Sequence, residues 1–380
     1  MREYLLVFLA AGVASYLLCV FARELAIRSG AVARVRDRDV HATPIPYFGG
    51  VAMLGGLGAG LLVARHLPFL STSQPIVFHD AGIVLLAGAM ICAVGVVDDL
   101  IELDALTKLG GQIVAAGFLV LNEVRFWSLN LPGGTQFALD PTQAVLLSML
   151  LVISTMNAVN FVDGLDGLAG GVVLIGAVAF FLFSYQLADA NGETLAITAA
   201  MLCAALGGAC LGFLPHNFFP ARIFMGDSGS MLLGLVLSGS ALTLTGQFAT
   251  VSVKQGGGDG GWFLLLLPIL LPISILIVPL ADLVMAVVRR TRRGQAFYQP
   301  DKEHLHHRLL EIGHSQRRAV LIMWLWAGVI AFGGVLISLY SGWVTWAVLA
   351  TITLTTVALT FILPRVHRPG GARPENHLVR

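Results

Sequence analysis

The sequence predicts an all-α, polytopic membrane helix bundle, and three observations carry that expectation. Hydrophobic residues make up 57% of the 380 positions and charged residues only 12%, about half the charge density of a soluble domain. Apolar runs of roughly 17 to 25 residues recur from end to end, the length that crosses a bilayer as a helix. The connections between them alternate in charge. Those at 28–45, 98–108, 160–170, 215–227 and 289–318, with Arg23 and the C-terminal tail, hold every Lys and Arg except Arg2, Arg65, Arg125 and Lys254. Positive residues favour the cytoplasmic side. The expected topology in a plasma (inner) membrane therefore has the N-terminus outside and the C-terminus cytoplasmic.

About eleven spans are expected, near 4–27, 46–64, 81–97, 109–121, 142–160, 171–187, 195–214, 228–247, 263–288, 319–339 and 343–363. The fourth is short, so ten is the alternative count. One transmembrane domain over 1–364 and a disordered cytoplasmic tail over 365–380 describe the chain. The first run lacks a small-residue cleavage site behind it and reads as a membrane helix that stays. The 4 cysteines, Cys19, Cys92, Cys203 and Cys210, lie inside apolar runs without CxxC spacing, as small buried hydrophobes do.

Taken in chain order, the polar segments carry the chemistry. DVHATPIPYFGG (39–50) puts His41 and Thr43 before a Pro-punctuated helix entry; alone it says little. GGLGAG (55–60) lies within a span, where small residues pack helices together. No Walker A sequence occurs, so an ATP-driven pump has no support. In VVDDLIELDALTKLGGQ (96–112), Asp98 and Asp99 stand side by side at the end of an apolar helix. Adjacent carboxylates repel and desolvate at a cost but are at ease beside a divalent cation. Lys108, with Gln112 a turn later, offers a point charge for a phosphate. The plain alternative is a solvated interfacial loop. VRFWSLNLPGGTQFAL, around 124–138, suits a small external hairpin about its Pro-Gly-Gly turn.

NAVNFVDGLDGLAG (157–170) sets Asn157, Asn160, Asp163 and Asp166 three residues apart. Such a step turns about −60° on a helix, so neighbours share a face while Asn157 and Asp166 point apart. Gly164 and Gly167 relax the backbone, and the helix is expected to break near 162–164 and curl around a ligand. A capped helix junction, with Asp166 as N-cap, is the competing reading. In PHNFFPARIFMGDSGS (215–230), Asp227 opens an apolar helix whose N–H groups favour a carboxylate or phosphate; Asp227 could equally cap that helix. Phe218, Phe219 and Phe224 offer flat surface to a base, although interfacial aromatics commonly anchor in membranes. Asp282 lies within the ninth span. If DKEHLHHRLLE (301–311) is helical, His304, His307 and Arg308 share a face and His306 points elsewhere. This suits a diphosphate clamp better than zinc, which wants closed N/S coordination. Arg289–Arg293 and Arg317-Arg318 read as headgroup-binding, positive-inside charge.

Together, VVDDL with its following Lys, NAVNFVDGLDGLAGG, FMGDSGS and PDKEHLHHRLL resemble, in order and spacing, the polyprenyl-phosphate N-acetylhexosamine-1-phosphate transferases, over about residues 40–320. The His-Leu-His-His-Arg form, followed by GHSQRRAV, is similar to the branch using UDP-N-acetylglucosamine. The branch using UDP-N-acetylmuramoyl-pentapeptide usually shows three consecutive histidines. The resemblance implies a Mg²⁺-dependent enzyme, with Mn²⁺ as substitute, acting on a UDP-sugar donor and a polyprenyl (undecaprenyl) phosphate acceptor on the cytoplasmic face. It implies metal ligation by Asp227, with Asn160 as second ligand, and catalytic roles for Asp98, Asp99 and Asp227. The resemblance implies nucleoside contacts at Asp163, Asp166, Asn217 and Phe224 and a diphosphate-binding loop with His304, His306, His307 and Arg308; His41, Lys108 and Asn157 join them as candidate substrate contacts from their placement alone. A homodimer is implied by the family alone, membrane lipids surround the chain, and no nucleic acid is expected. The competing class is an ion-coupled transporter. Its acids would sit near the bilayer midplane at a repeat interface, whereas these gather at helix ends and no repeat is visible.

Overall fold

The computed structural model describes residues 1–33, 44–130, 136–191, 194–245, 291, 314–340 and 342–361. The expected span at 263–288, Asp282, His41, His304, His306, His307, Arg308 and the tail from 365 lie outside the described residues. Helices α1 (Arg2–Ser29), α2 (Gly49–Ala64), the short α3 (Pro68–Ser71), α4 (Pro75–Ile101) and α5 (Ala105–Leu121) precede a hairpin of β1 (Ser128–Asn130) and β2 (Gln136–Ala138). Then follow α6 (Pro141–Val162), α7 (Leu168–Asn191), α8 (Thr194–Asn217), α9 (Gly226–Thr245), α10 (Gln316–Leu339) and α11 (Trp343–Phe361).

Of these, 8 helices are long and apolar enough to cross a membrane, and the chain is a multi-pass membrane helix bundle. The second expected span becomes the shorter α2, with 16 residues, and the short fourth one extends to α5, with 17; at 1.5 Å per residue both stay below the thickness of the hydrocarbon core. The third runs longer than expected, because Pro75 at the helix start is tolerated there. The hairpin forms as expected, pairing Ser128 with Ala138 and Asn130 with Gln136. All four cysteines are buried and free.

Local chemistry sets helix starts at both ends of the bundle, that of α5 beside the site and that of α6 at the far end. Asp104 caps α5 by accepting from Leu106 N and Thr107 N, each at 3.0 Å. Asp140 and Gln143 form a capping box on α6, with Pro141 inside its first turn.

The bundle is built around α9, whose spanning window is 94% buried, with α8 at 89%; α1 at 28% and α11 at 11% lie at the periphery. Small residues make that centre, because membrane helices associate by close backbone approach rather than by hydrophobic exclusion. At Gly95 of α4, a Cβ would collide with the Ser228 backbone of α9. Hydroxyls within α9 bond back to their own helix, Ser238 Oγ to Gly234 O at 2.8 Å and Ser240 Oγ to Val236 O at 2.7 Å, so these two groups are satisfied within the buried centre.

One end of the bundle gathers the C-terminal ends of α1, α4, α6 and α8 and the N-terminal ends of α2, α5, α7, α9 and α10. Contacts across it include Gly49 N to Phe224 O at 3.0 Å and Arg317 Nε to Phe219 O at 3.2 Å. Every described candidate site residue except Asn157, one turn deeper, lies at this end.

Replacing Gly95 by Leu should force α4 off α9. Overpacking of this kind costs about 1–3 kcal/mol, so the thermal unfolding midpoint in detergent should fall by several degrees. Gly58, against which a Cβ meets nothing within 4 Å, should accept Ala without loss.

Candidate active site

Two consecutive aspartates at the end of α4 face different neighbours. Asp98 Oδ1 accepts from Leu103 N at 2.7 Å, and Oδ2 lies 2.8 Å from the Lys108 ammonium of α5. Asp99 turns to α9. Its Oδ1 accepts from Asp227 N at 2.9 Å, and its Oδ2 from Ser228 Oγ at 2.8 Å and Ser228 N at 3.4 Å. Asp99 is therefore a cap supplied from another helix. The anion expected at this helix start is a carboxylate of the chain itself, held by free N–H groups and the positive end of the dipole. Gly226 permits the approach. Its φ is +70°, and a Cβ there would meet the Asp99 carboxylate.

Asp227, placed by that cap, returns its side chain to the centre. Its Oδ2 lies 2.7 Å from Lys108 Nζ and its Oδ1 accepts from Asn160 Nδ2 at 2.8 Å. The same Asn160 amide donates to Ser230 Oγ at 2.9 Å, so both amide hydrogens are used. With the nitrogen thus engaged, the Asn160 carbonyl oxygen is left for another partner. Ser230 follows Asp227 by three residues on one helix face; that spacing is visible in GDSGS, yet its role becomes apparent only with α6 in place.

The three-residue polar series divides among tasks. α6 ends at Val162, where the break was expected. Asn157 forms a reciprocal amide pair with Gln112 of α5, at 2.8 and 3.3 Å, and Gln112 also reaches Met231 Sδ of α9 at 3.4 Å. Asn157 thus joins helices one turn below the acids. Asp166, 5% exposed, accepts from Ala221 N at 2.9 Å. Asn217, 2% exposed, accepts from Gly167 N at 2.9 Å and donates to Ile223 O at 3.0 Å. These two side chains stitch the 163–167 turn to the 218–225 loop and shape a cradle. Phe224 is half-buried on its rim, with its ring centroid 6.1 Å from that of Tyr47.

Asp163 stands outside the helices at the edge of this cluster. Loss of solvent around its carboxyl pushes its pKa up to about 7, and the charges of Asp227, Asp99 and Asp166 add to the shift. Asp98, Asp99 and Asp227 each offer a carboxylate oxygen, all within 4.8 Å of one another. The donors are hard oxygens, without Cys or His among them, the set that suits Mg²⁺ or Mn²⁺ rather than zinc. Lys108 already bridges Asp98 and Asp227, a positive charge where the carboxylates require one. The residues present fit a divalent cation held by Asp227 and Asp98, with the Asn160 oxygen beside them.

A family model for glycosyl transferase family 4 matches residues 81–245, the stretch from α4 through α9. The chain is 45% identical over 383 residues to the decaprenyl-phosphate N-acetylglucosaminephosphotransferase of Mycolicibacterium smegmatis, covering 98% of this chain and 91% of that one. It is 48% identical over 342 residues to the protein of the same name from Mycobacterium tuberculosis, covering 88% and 82%. A probable undecaprenyl-phosphate N-acetylglucosaminyl 1-phosphate transferase of Bacillus subtilis is 31% identical, covering 85% of this chain and 82% of that one.

Removing the Asp99 cap should loosen the start of α9. Asp99→Ala should cost about 1–2 kcal/mol and raise hydrogen exchange at the Asp227 and Ser228 amides about tenfold, with Asp99→Asn intermediate; unchanged exchange would refute the cap. Asp163 generates a pH effect in chelator-treated protein. Its carboxyl ionises near 3.8 when solvated and near 7 when folded. Across that window the folded state binds more protons, so the Asp163 contribution to stability falls as pH rises and levels off above about 7. Thermal unfolding from pH 4 to 8 should show a flatter slope in Asp163→Asn.

Proposed function

The chain belongs to glycosyl transferase family 4, and from that premise we propose that it transfers N-acetylglucosamine-1-phosphate from UDP-N-acetylglucosamine to a polyprenyl phosphate. The products are UMP and a polyprenyl-diphospho-sugar, the first membrane-bound intermediate of a cell-envelope glycan. The observation that carries the proposal is the meeting of Asp98 and Asp227 on the Lys108 ammonium, at 2.8 and 2.7 Å. A reaction between two phosphate-bearing anions is hindered chiefly by their repulsion, and a site rich in exchangeable cation contacts answers that problem.

The lipid phosphate oxygen attacks the β-phosphorus in line, the P–O bond to the α-phosphate oxygen breaks, and UMP leaves with that oxygen. One phosphoanhydride replaces another, so the reaction is readily reversible and needs no further energy source. A bound Mg²⁺ supplies charge neutralisation on the diphosphate. Lys108 exchanges its carboxylate partners for phosphate oxygens when substrates arrive. Asp98, oriented by Leu103 N, organises the acceptor phosphate and takes its proton when one is present. A phosphate monoester has its second pKa near ~6, so a strong base is not demanded. Asp99 positions Asp227 through the α9 N-terminus.

The acceptor approaches from the bilayer, since Leu106, Leu109, Ile113 and Phe161 are exposed apolar side chains flanking Lys108 on α5 and α6. The donor's uridine lies over the cradle of Asp163, Asp166 and Phe224. Chain orientation follows the positive residues, which puts the site on the cytoplasmic face. Relatives at 45% and 48% identity are named for decaprenyl phosphate and one at 31% for undecaprenyl phosphate, so decaprenyl phosphate is the first acceptor to test.

Purified protein with Mg²⁺, labelled UDP-sugar and decaprenyl or undecaprenyl phosphate should yield lipid-extractable label from UDP-N-acetylglucosamine, and little from UDP-N-acetylmuramoyl-pentapeptide. No transfer from any UDP-N-acetylhexosamine refutes the proposal. Asp227→Ala should abolish transfer and weaken Mn²⁺ binding measured by electron paramagnetic resonance. Asp98→Asn should lower kcat by about 10²–10⁴, the range of proton-transfer catalysis. Turnover within tenfold of wild type would refute the proton-accepting role of Asp98.

A further inference from the structure

On the flank away from Lys108, three arginines surround one tight loop. Arg222 N donates to His216 O at 2.8 Å, closing residues 216–222 into a compact turn. Arg23 of α1 donates its Nε to Arg222 O at 3.2 Å. Arg317 of α10 donates its Nε to Phe219 O at 3.2 Å, with its Cζ 5.6 Å from the Phe219 ring centroid. All three side chains are exposed, and among the described residues none of them forms an ion pair. Arg28, one turn beyond Arg23, shows the contrast, since it is paired with Glu24 at 2.9 Å. Three like charges held around one loop repel unless an anion joins them.

We propose that Arg23, Arg222 and Arg317 bind the phosphate headgroup of an anionic glycerophospholipid whose acyl chains lie along α1. The apolar surface beside Arg23 distinguishes a lipid from a free phosphate. Leu9, Val13, Tyr16 and Val20 recur at helical spacing on the face that ends at Arg23, and each is at least 46% exposed. The Tyr16 ring, 4.6 Å from that of His216, connects this stripe to the base of the loop. Two guanidinium groups spend Nε on loop carbonyls and keep their terminal amines for a phosphate, the planar recognition that arginine provides. The site is separate from the proposed acceptor entrance, because α1 packs on α2 and α8 whereas α5 packs on α4 and α6.

The loop gives the headgroup a route to the active site. Ala221 N holds Asp166 and Ile223 O holds Asn217, so a phosphate drawing the arginines together stiffens the cradle from outside. This is a positioning effect, separate from the chemistry at Asp98 and Asp227, and binding can be measured without turnover.

Full-length protein stripped in neutral detergent is titrated with phosphatidylglycerol, phosphatidylcholine or inorganic phosphate, and bound lipid is counted by native mass spectrometry. One phosphatidylglycerol should bind at least about tenfold more tightly than phosphatidylcholine, and millimolar inorganic phosphate should not displace it. R23Q/R222Q should lose that preference, R23K/R222K should keep part of it, and R28Q should match wild type. Should the double variant unfold, R222Q alone carries the test, because its exposed side chain has no hydrogen bond or ion pair among the described residues. Equal binding of the two phospholipids, or unchanged binding in R222Q and R23Q/R222Q, overturns the proposal. Displacement by equimolar polyprenyl phosphate also overturns it, assigning the site to acceptor recruitment instead.

Discussion

The Lys108 ammonium between Asp98 and Asp227 is the contact on which the rest of the site depends. Four aspartates, at positions 98, 99, 163 and 227, crowd one end of an otherwise apolar bundle, where each additional negative charge raises the cost of the others. Two devices within the chain reduce that cost. Lys108 supplies a full positive charge to two of them, and the N-terminus of α9 supplies its N–H groups and dipole to Asp99. What remains is negative, and it attracts cations. The architecture follows from the same requirement, because α4, α5, α6 and α9 must bring their ends to within a few ångströms of each other. The closest helix contacts at the centre of the bundle, such as Gly95 on Ser228 and Gly50 on Gly229, are accordingly made by small residues.

Much of this was legible in the sequence, for identifiable reasons. Hydropathy located the 8 described spans because lipid forces each to satisfy its own backbone. The break after Val162 was readable from the glycines that follow the aspartates. Lengths were less secure, since α2 and α5 are too short to cross alone and are supported by neighbours that no linear pattern reveals. The site was legible as a set of residues but not as a set of partners. Nothing local distinguishes Asp98 from Asp99, and nothing in NAVN indicates that Asn157 pairs with Gln112 45 residues before it. Ser230, unremarkable in GDSGS, becomes important only when Asn160 arrives from another helix.

The polar series 157–166 illustrates how one period can serve several purposes. A regular step of three suggested side chains turning successively around a single ligand. In the structure the rotation instead distributes them. Asn157 faces α5, Asn160 faces the start of α9, Asp163 faces the acid cluster, and Asp166 faces the 218–225 loop. Asn157, Asn160 and Asp166 each bond to a different element, so the segment acts as a hub for the site end of the bundle. Asp166 and Asn217 share that character. Both hold backbone groups of neighbouring segments, and so fix the shape of the cradle between the 163–167 turn and the 218–225 loop.

Consecutive aspartates at a helix C-terminus run against the helix dipole, which favours cations there. Their placement at the end of α4 therefore needs a reason beyond stability, and the angle between them provides it. Successive residues on a helix point about 100° apart, so an Asp-Asp pair addresses two different neighbours from one rigid support. Asp99 fixes the start of α9 and with it the backbone of Asp227. Asp98 meets Lys108, which in turn meets the Asp227 side chain. Asp227 is thus held at its backbone by one aspartate and at its carboxylate, through a lysine, by the other. Such a closed arrangement sets the relative positions of the Asp98 and Asp227 carboxylates from within the chain. A single aspartate could supply either link but not both, which explains the unfavourable doublet without requiring that both members touch the reacting phosphates.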